Sequence, residues 1–161
     1  MGAATRVDTA ARDREIVVAR LVDAPRDLVF KAWTEPDRMA RWWAPPGFTV
    51  AHCAMDVRPD GAFRFCLRSP EGVEHWRQGI YREVNEPERL VYSFAWADAE
   101  GRSQYETLVT VIFAERGEKT ELILHQSIFK SVAARDEHQR DWTDTLERFA
   151  EYLAHHWEAR R

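Results

Sequence analysis

Cysteine is scarce in this chain: Cys53 and Cys66 are the only two in 161 residues. That excludes a disulfide framework and a complete thiolate zinc site. No uninterrupted apolar run approaches the roughly 20 residues of a membrane span, and no basic start leads into an apolar stretch. The expected location is therefore the cytoplasm, with no membrane partner. Basic excess is lacking too. The 23 Lys and Arg stand against 27 Asp and Glu, a formal net charge of −4, which argues against a nucleic-acid partner. Gly61, Gly72, Gly79 and Gly101 are isolated and match neither a P-loop nor a dinucleotide fingerprint. H-E-x-x-H and G-x-S-x-G are both missing. His155 and His156 are adjacent on a helical segment, so their side chains diverge by about 100° and do not share a metal. No metal and no cofactor are expected, and no motif assigns a catalytic residue.

Aromatic residues, by contrast, are plentiful: seven tryptophans and eight phenylalanines. Such rings build rigid apolar walls, and each indole brings one N–H that needs a partner when buried. Residues 1–12 show little periodicity and read as a loose tail, leaving 13–161 as a single domain. Glu15 to Val22 is rich in Ile and Val and reads as a first strand. Asp23 is placed to cap a helix with Pro25 in its first turn and an apolar stripe of Leu28, Val29, Ala32 and Trp33. Thr34-Glu35-Pro36-Asp37 looks like a capping box for a second short helix, running through Met39 and Trp42 until Pro45-Pro46-Gly47 stops it.

From Phe48 the period changes to two. Six alternating segments follow, at Phe48–Val57, Phe63–Arg68, His75–Val84, Leu90–Trp96, Tyr105–Phe113 and Thr120–Ile128, with short turns between them. Short turns make neighbouring strands antiparallel. Trp142, Leu146, Phe149, Leu153 and Trp157 then recur on one stripe of a long helix, with Ser131 as its cap and Ala133-Ala134 as a point where it could break. The expected fold class is α+β: a seven-stranded curved antiparallel sheet, two short helices after the first strand, and a long C-terminal helix. A sheet with so much one-sided apolar surface must curl and be covered, and that helix is the element large enough to cover it. In the hairpin at Arg58-Pro59-Asp60-Gly61, pairing Arg58 with Gly61 sets Cys53 against Cys66. It also sets His52 and Asp56 against the row Phe63, Phe65 and Leu67. A bulge at Gly61 would break this pairing.

Four stretches then point to a family. They are Ala24-Pro25 through Phe30, Ala32 and Trp33; Trp42-Trp43-Ala44-Pro45 followed by Phe48; the hairpin Asp56 to Phe63 with Gly79 and Tyr81 in the next strand; and Arg135-Asp136-Glu137-His138 with Trp142, Leu146 and Tyr152-Leu153. Over about residues 14–156, the set resembles bacterial relatives of the C-terminal domain of the Hsp90 ATPase activator, within the Bet v 1-like or START-like helix-grip group (SRPBCC). Two positions depart from the family's pattern: Ala62 stands where a second hairpin glycine is usual, and Asp141 where glycine usually precedes the helical tryptophan. The resemblance implies a helix-grip fold with a pocket. Its wider relatives include ligand carriers, polyketide aromatases and cyclases, self-sacrificing resistance proteins and chaperone cofactors, with no shared catalytic triad. The chaperone activator has a further N-terminal domain for its partner. This chain has no room for one, so Hsp90 activation is not the expected role.

Within such a fold, the expected ligand-facing residues are Trp42, His52, Asp56, Phe63, Phe65, Trp76, Tyr81, Tyr92, Phe94, His125, Trp142 and Phe149. Two of these depend on register. Strict alternation puts His125 opposite Leu122, Leu124 and Gln126, whereas a bulge would turn it inward. In the strand beginning at His75, one parity groups His75 and Arg77 with Gly79 and Tyr81, the other groups Trp76 and Gln78 with Ile80. Either takes a polar group inside that needs a partner. Three functions remain open. The first is binding of a small hydrophobic or amphipathic molecule, which calls for a continuous cavity of several hundred cubic ångströms. The second is a cyclase-, hydrolase- or detoxification-type enzyme using His125, His52 or Asp56 as acid or base. The third is a protein-interaction domain, a homodimer or a chaperone accessory, marked by exposed Trp43, Trp96 or Trp157.

Overall fold

The computed structural model describes residues 15–127 and 132–158. The expected tail, Ile128, the cap at Ser131 and the side chains of Tyr105 and Trp157 lie outside the described residues. The element order is β1 (Ile16–Val22), α1 (Arg26–Thr34), α2 (Pro36–Met39), β2 (Thr49–Met55), β3 (Ala62–Arg68), β4 (Glu74–Asn85), β5 (Arg89–Ala97), β6 (Ser103–Arg116), β7 (Lys119–Ser127) and α3 (Val132–Glu158). The seven strands form one curved antiparallel sheet in the order β1-β7-β6-β5-β4-β3-β2. The chain has the helix-grip architecture, with β1 and β2 at the two edges.

Alternation sorts the strands into two faces. The inner face carries Ile16 and Val22, Phe63 and Phe65, Tyr81, Leu90, Tyr92 and Phe94, Val109, Val111 and Phe113, and Leu122 and Leu124, all buried. Trp142, Leu146, Phe149 and Leu153 of α3 are buried in the same core. Burying one such aliphatic or aromatic side chain stabilises by about 1.5–3 kcal/mol, which is why a 27-residue helix of modest intrinsic propensity is held in place. The helix runs unbroken through Ala133-Ala134. At its outer side Arg20 of β1 pairs with Glu147.

The two short helices differ in detail from the sequence reading. Pro25 occupies the cap position of α1 with no side-chain capping bond, and the carbonyl of Pro25 accepts from the backbone N–H groups of Leu28 and Val29. Asp23 therefore does not cap it. Thr34 Oγ1 donates back to Phe30 O at 2.9 Å, so the capping box before α2 does not form. That helix ends at Met39, and a turn carries the chain on through Trp42 and Trp43, whose N–H groups both donate to Met39 O.

The β2–β3 hairpin corrects one register. Gly61 N donates to Arg58 O at 2.8 Å, as a turn there requires, but Asp56 N donates to Ala62 O, leaving Val57 as the extra, unpaired residue between these two bonds. A Cβ on Gly61 would fall 2.0 Å from Asp56 O, so the close approach needs glycine. The shift sets Met55 opposite Phe63, Cys53 opposite Phe65, and His52 opposite Cys66. Cys53 and Cys66 therefore lie on opposite faces, and both are free thiols.

Candidate functional site

On the inner face, Phe63 and Phe65 of β3, Tyr81 of β4, and Tyr92 and Phe94 of β5 meet Trp33 of α1, Met39 of α2 and Trp43. The space left between them is about 10 Å³, room for about one water. The rings are in mutual contact. Phe63 lies 5.4 Å from Tyr92, Trp43 lies 5.2 Å from Phe65, and Trp33 lies 4.9 Å from Trp42 between ring centroids. Among the described residues no inner cavity of several hundred cubic ångströms is open. The reason is the pair Trp33 and Trp43, which the segments after β1 wedge between sheet and α3. Burial pushes the Tyr81 and Tyr92 phenols well above their ordinary range, so both stay neutral donors or acceptors inside an apolar wall.

Beside this interior lies a second void of about 60 Å³, bounded by Trp43, Phe94, Trp96, Trp142 and Thr145 and by the polar groups of Arg77, Gln126, His138 and Asp141. Trp43 and Phe94 line both voids. The mouth is half polar by design of the strands: Arg77 shares a row with inward Phe65 and with Trp96, its partners on the neighbouring strands. Of the two parities open for β4, the structure thus selects the one that turns Arg77 inward.

Gln126 is fully buried and its amide is fully engaged. Trp142 Nε1 donates to its Oε1 at 2.6 Å, its Nε2 donates to Thr107 Oγ1 at 2.8 Å, and Thr107 Oγ1 donates onward to Phe94 O at 2.9 Å. His138 holds Nδ1 2.6 Å from Ala134 O, which makes that nitrogen the protonated one, and its ring packs 4.3 Å from Trp96. Arg77 differs. Among the described residues its hydrogen bond is a long one, Nη1 to Trp76 O at 3.4 Å, and no carboxylate comes within ion-pair distance. Burial pushes the guanidinium down to about 10, against the opposing pull of Asp141 across the mouth. Asp141, at the rim, has its carboxyl pushed up by burial while His138 and Arg77 pull it down.

Trp42, Phe63, Phe65, Tyr81, Tyr92, Phe94, Trp142 and Phe149 are thus brought together on the inner side. Trp42 and Phe149 pack as a tilted pair one layer behind the voids, their centroids 4.5 Å apart. His52, Asp56, Trp76 and His125 are not brought there. The one-residue shift beside the Arg58–Gly61 turn sets His52 and Asp56 on the outer face, and both are exposed. Trp76 lies on the outer face opposite Cys66, beneath the Arg64 guanidinium at 4.0 Å. His125 keeps strict alternation, faces out opposite Val17, and has Nε2 3.5 Å from Glu15. An enzyme using His52, Asp56 or His125 inside the pocket is therefore not what this geometry builds. Trp43 is buried and Trp96 is packed on His138, which removes two of the three expected surface markers. Trp33, Trp43 and Arg77 are among the site residues that the sequence reading left out, as are Gln126, His138 and Asp141 of the mouth. Trp33 was legible as part of a buried helical stripe, and Arg77 as one of two parities.

A larger concavity, about 400 Å³, lies on the outer face over Ala62, Ile80, Ser93 and Ala95. It is an open groove whose polar flank is partly committed, although Arg64 Nε is buried without a hydrogen-bond partner among the described residues. Arg64 Nη2 donates to Asp98 O and Ala99 O, and Gln78 Nε2 donates to Gly101 O. Among the described residues no cluster of three or more His, Cys, Asp or Glu could hold a metal, and no helix is long and apolar enough to cross a membrane.

Residues 23–154 match the family described as Activator of Hsp90 ATPase homolog 1-like protein. The chain belongs to that family. Solved structures of bacterial proteins share its fold. The AHSA1 protein from Silicibacter pomeroyi is similar at a TM-score of 0.77 and 22% identity, covering 87% of this chain and 97% of that one. Protein CV1439 from Chromobacterium violaceum is similar at 0.75 and 24%, covering 86% and 95%. A protein from Arthrobacter aurescens is similar at 0.79 and 18%, covering 90% and 88%. Among curated proteins, none matches this chain. For an Activator of Hsp90 ATPase homolog 1-like chain, Asp141 is a feature to explain, because it places a carboxylate at the rim of the mouth opposite Arg77.

Proposed function

We propose that this Hsp90-activator-like chain binds a small amphipathic molecule, its apolar part among the inner rings and its polar part at the mouth. The observation that carries this reading is that Trp43 and Phe94 line both voids: a wall of aromatic rings stands beside a half-buried cation whose donors are nearly unused among the described residues. Ligand sites combine that kind of apolar lining with a few convergent polar groups. The space open in this structure admits only a few atoms, so a larger guest enters as Trp43 and its neighbours part. Removing a packed ring from a core costs about 3–5 kcal/mol, and a guest that refills the space restores the lost contacts.

Native mass spectrometry of the protein purified from its own host tests this, together with titration by N-phenyl-1-naphthylamine, a neutral dye that brightens in apolar sites. The expected result is a non-covalent small-molecule adduct and a saturable rise in dye emission. A bare chain from the host and no dye binding would sink the proposal.

A further inference from the structure

Resting on that binding reading, we propose that the mouth is an oxyanion subsite: Arg77 pairs with the carboxylate- or sulfonate-like headgroup of a ligand whose ring body lies among Trp43, Phe94 and Trp142.

Two other arginines of β1 and α3 are already committed. Arg20 pairs with Glu147. Arg148 Nη2 donates to Trp43 O at 3.0 Å, and its Nε to Trp42 O at 3.4 Å. Arg77 offers five N–H donors and, among the described residues, uses one, weakly. A half-buried guanidinium with no carboxylate in contact keeps its remaining donors for an incoming anion. The planar fork of Arg suits a two-oxygen headgroup, which it can engage bidentately.

The other polar groups of the mouth leave this as the open role. The oxygen and nitrogen of Gln126 are both bonded inside the core. His138 uses Nδ1 on its own helix and its ring face on Trp96. An anion would meet a full positive charge at Arg77, whereas a neutral ligand would gain only neutral hydrogen bonds there. The 60 Å³ of the mouth suits a headgroup, and the rings behind it suit a body. Asp141 sits across the opening, close enough to act on Arg77 through space but not in ion-pair contact. It therefore weakens the field that an anion feels. A family position usually held by glycine here tunes how strongly the site holds an anion.

The test compares two dyes with the same body. N-phenyl-1-naphthylamine is neutral, and 1-anilinonaphthalene-8-sulfonate adds a sulfonate to it. Wild-type protein is expected to bind the sulfonate dye more tightly. Arg77→Gln should weaken that dye roughly tenfold while leaving the neutral dye within about twofold. Arg77→Lys should retain part of the preference, because a point charge remains. Asp141→Asn should tighten the sulfonate dye a few-fold, the gain shrinking as salt is raised. Arg64→Gln, on the outer face, serves as the control and should change neither dye. Equal binding of the two dyes to wild-type, or an Arg77→Gln effect shared by both, overturns the anion subsite and leaves the binding reading standing. Failure of both dyes to bind wild-type overturns the binding reading and this inference with it. Should Arg77→Gln misfold by circular dichroism, the wild-type preference and the opposite sign of Asp141→Asn decide the matter.

Discussion

Trp142 Nε1 donates a 2.6 Å hydrogen bond to Oε1 of Gln126, tying the long helix to the last strand in the middle of the core. Neither group has water as an alternative, since Gln126 is fully buried and Trp142 nearly so. The same amide also donates to Thr107, so one residue satisfies polar groups on α3 and β6 together.

Gln126→Leu keeps the volume and removes both bonds. It leaves the Trp142 N–H without a partner in an apolar setting, which costs about 1–3 kcal/mol beyond any packing change. Urea denaturation should show this loss. Trp142→Phe in the Gln126→Leu background should cost less than it does in wild-type, because the stranded N–H is then gone. Strict additivity of the two changes would show that the pair is not coupled.

Gly79 has no room for a side chain. A Cβ there would lie 1.8 Å from Ser93 O and 2.6 Å from the Phe63 ring. Gly79→Ala should therefore push β4 away from β5 and cost about 3 kcal/mol or more, read as a lowered midpoint in thermal or urea unfolding. Gly72→Ala is the informative comparison. Its neighbourhood is empty, but its φ of +85° is left-handed. It should cost only about 1 kcal/mol. A mild Gly79→Ala would mean that the ring of Phe63 can move aside.

Arg148 fastens the turn after α2 to α3 through the carbonyls of Trp42 and Trp43. Arg148→Met keeps the apolar stem and removes these bonds. It should cost about 1–3 kcal/mol, red-shift tryptophan emission, and speed the uptake of N-phenyl-1-naphthylamine measured by stopped flow. Uptake no faster than wild-type would separate the anchoring of Trp43 from access to the interior.

Asp98 organises the loop that leans over the outer groove. Its carboxylate accepts from the backbone N–H of Glu100 and Arg102 and from Arg102 Nε. The Arg102 backbone bond is the first of several contacts that hold its pKa below the ordinary aspartate value. A depressed folded pKa means the loop gains its stabilisation above the unfolded value, and loses it as pH falls through the folded one. Amide NMR signals of Glu100 and Arg102 should therefore hold steady from neutral pH to roughly pH 4, then shift together below it. In Asp98→Ala those shifts should be absent, and the loop amides should exchange faster at every pH.

Much of the fold was legible because each strand with one buried face repeats every two residues, and the turns between strands are short. The helical stripe at Trp142, Leu146, Phe149 and Leu153 was equally plain, and all four are buried. The β2–β3 register was not legible, because one extra residue at Val57 reverses which side chains face in, and the composition of β2 suits either face. That single residue moved His52 and Asp56 to the surface. In β4, the parity could have been settled by Gly79. A strand glycine beneath a neighbouring aromatic ring belongs on the inner row, and Arg77 shares that row. Trp76 reads as a core residue by hydrophobicity, yet it is accommodated outside by stacking under Arg64. The closing of the interior by Trp33 and Trp43 depends on how two short helices lie across the sheet, which no periodicity encodes.

The packing of Trp43 against Phe65 at one end and Trp142 at 5.5 Å on the other has a kinetic corollary. If this contact must open before a guest can enter, the observed uptake rate will climb with guest concentration only until it meets the opening rate, and then level off. Chemically different guests would share that plateau and differ in how long they stay. Discrimination would then be exercised on departure rather than on arrival.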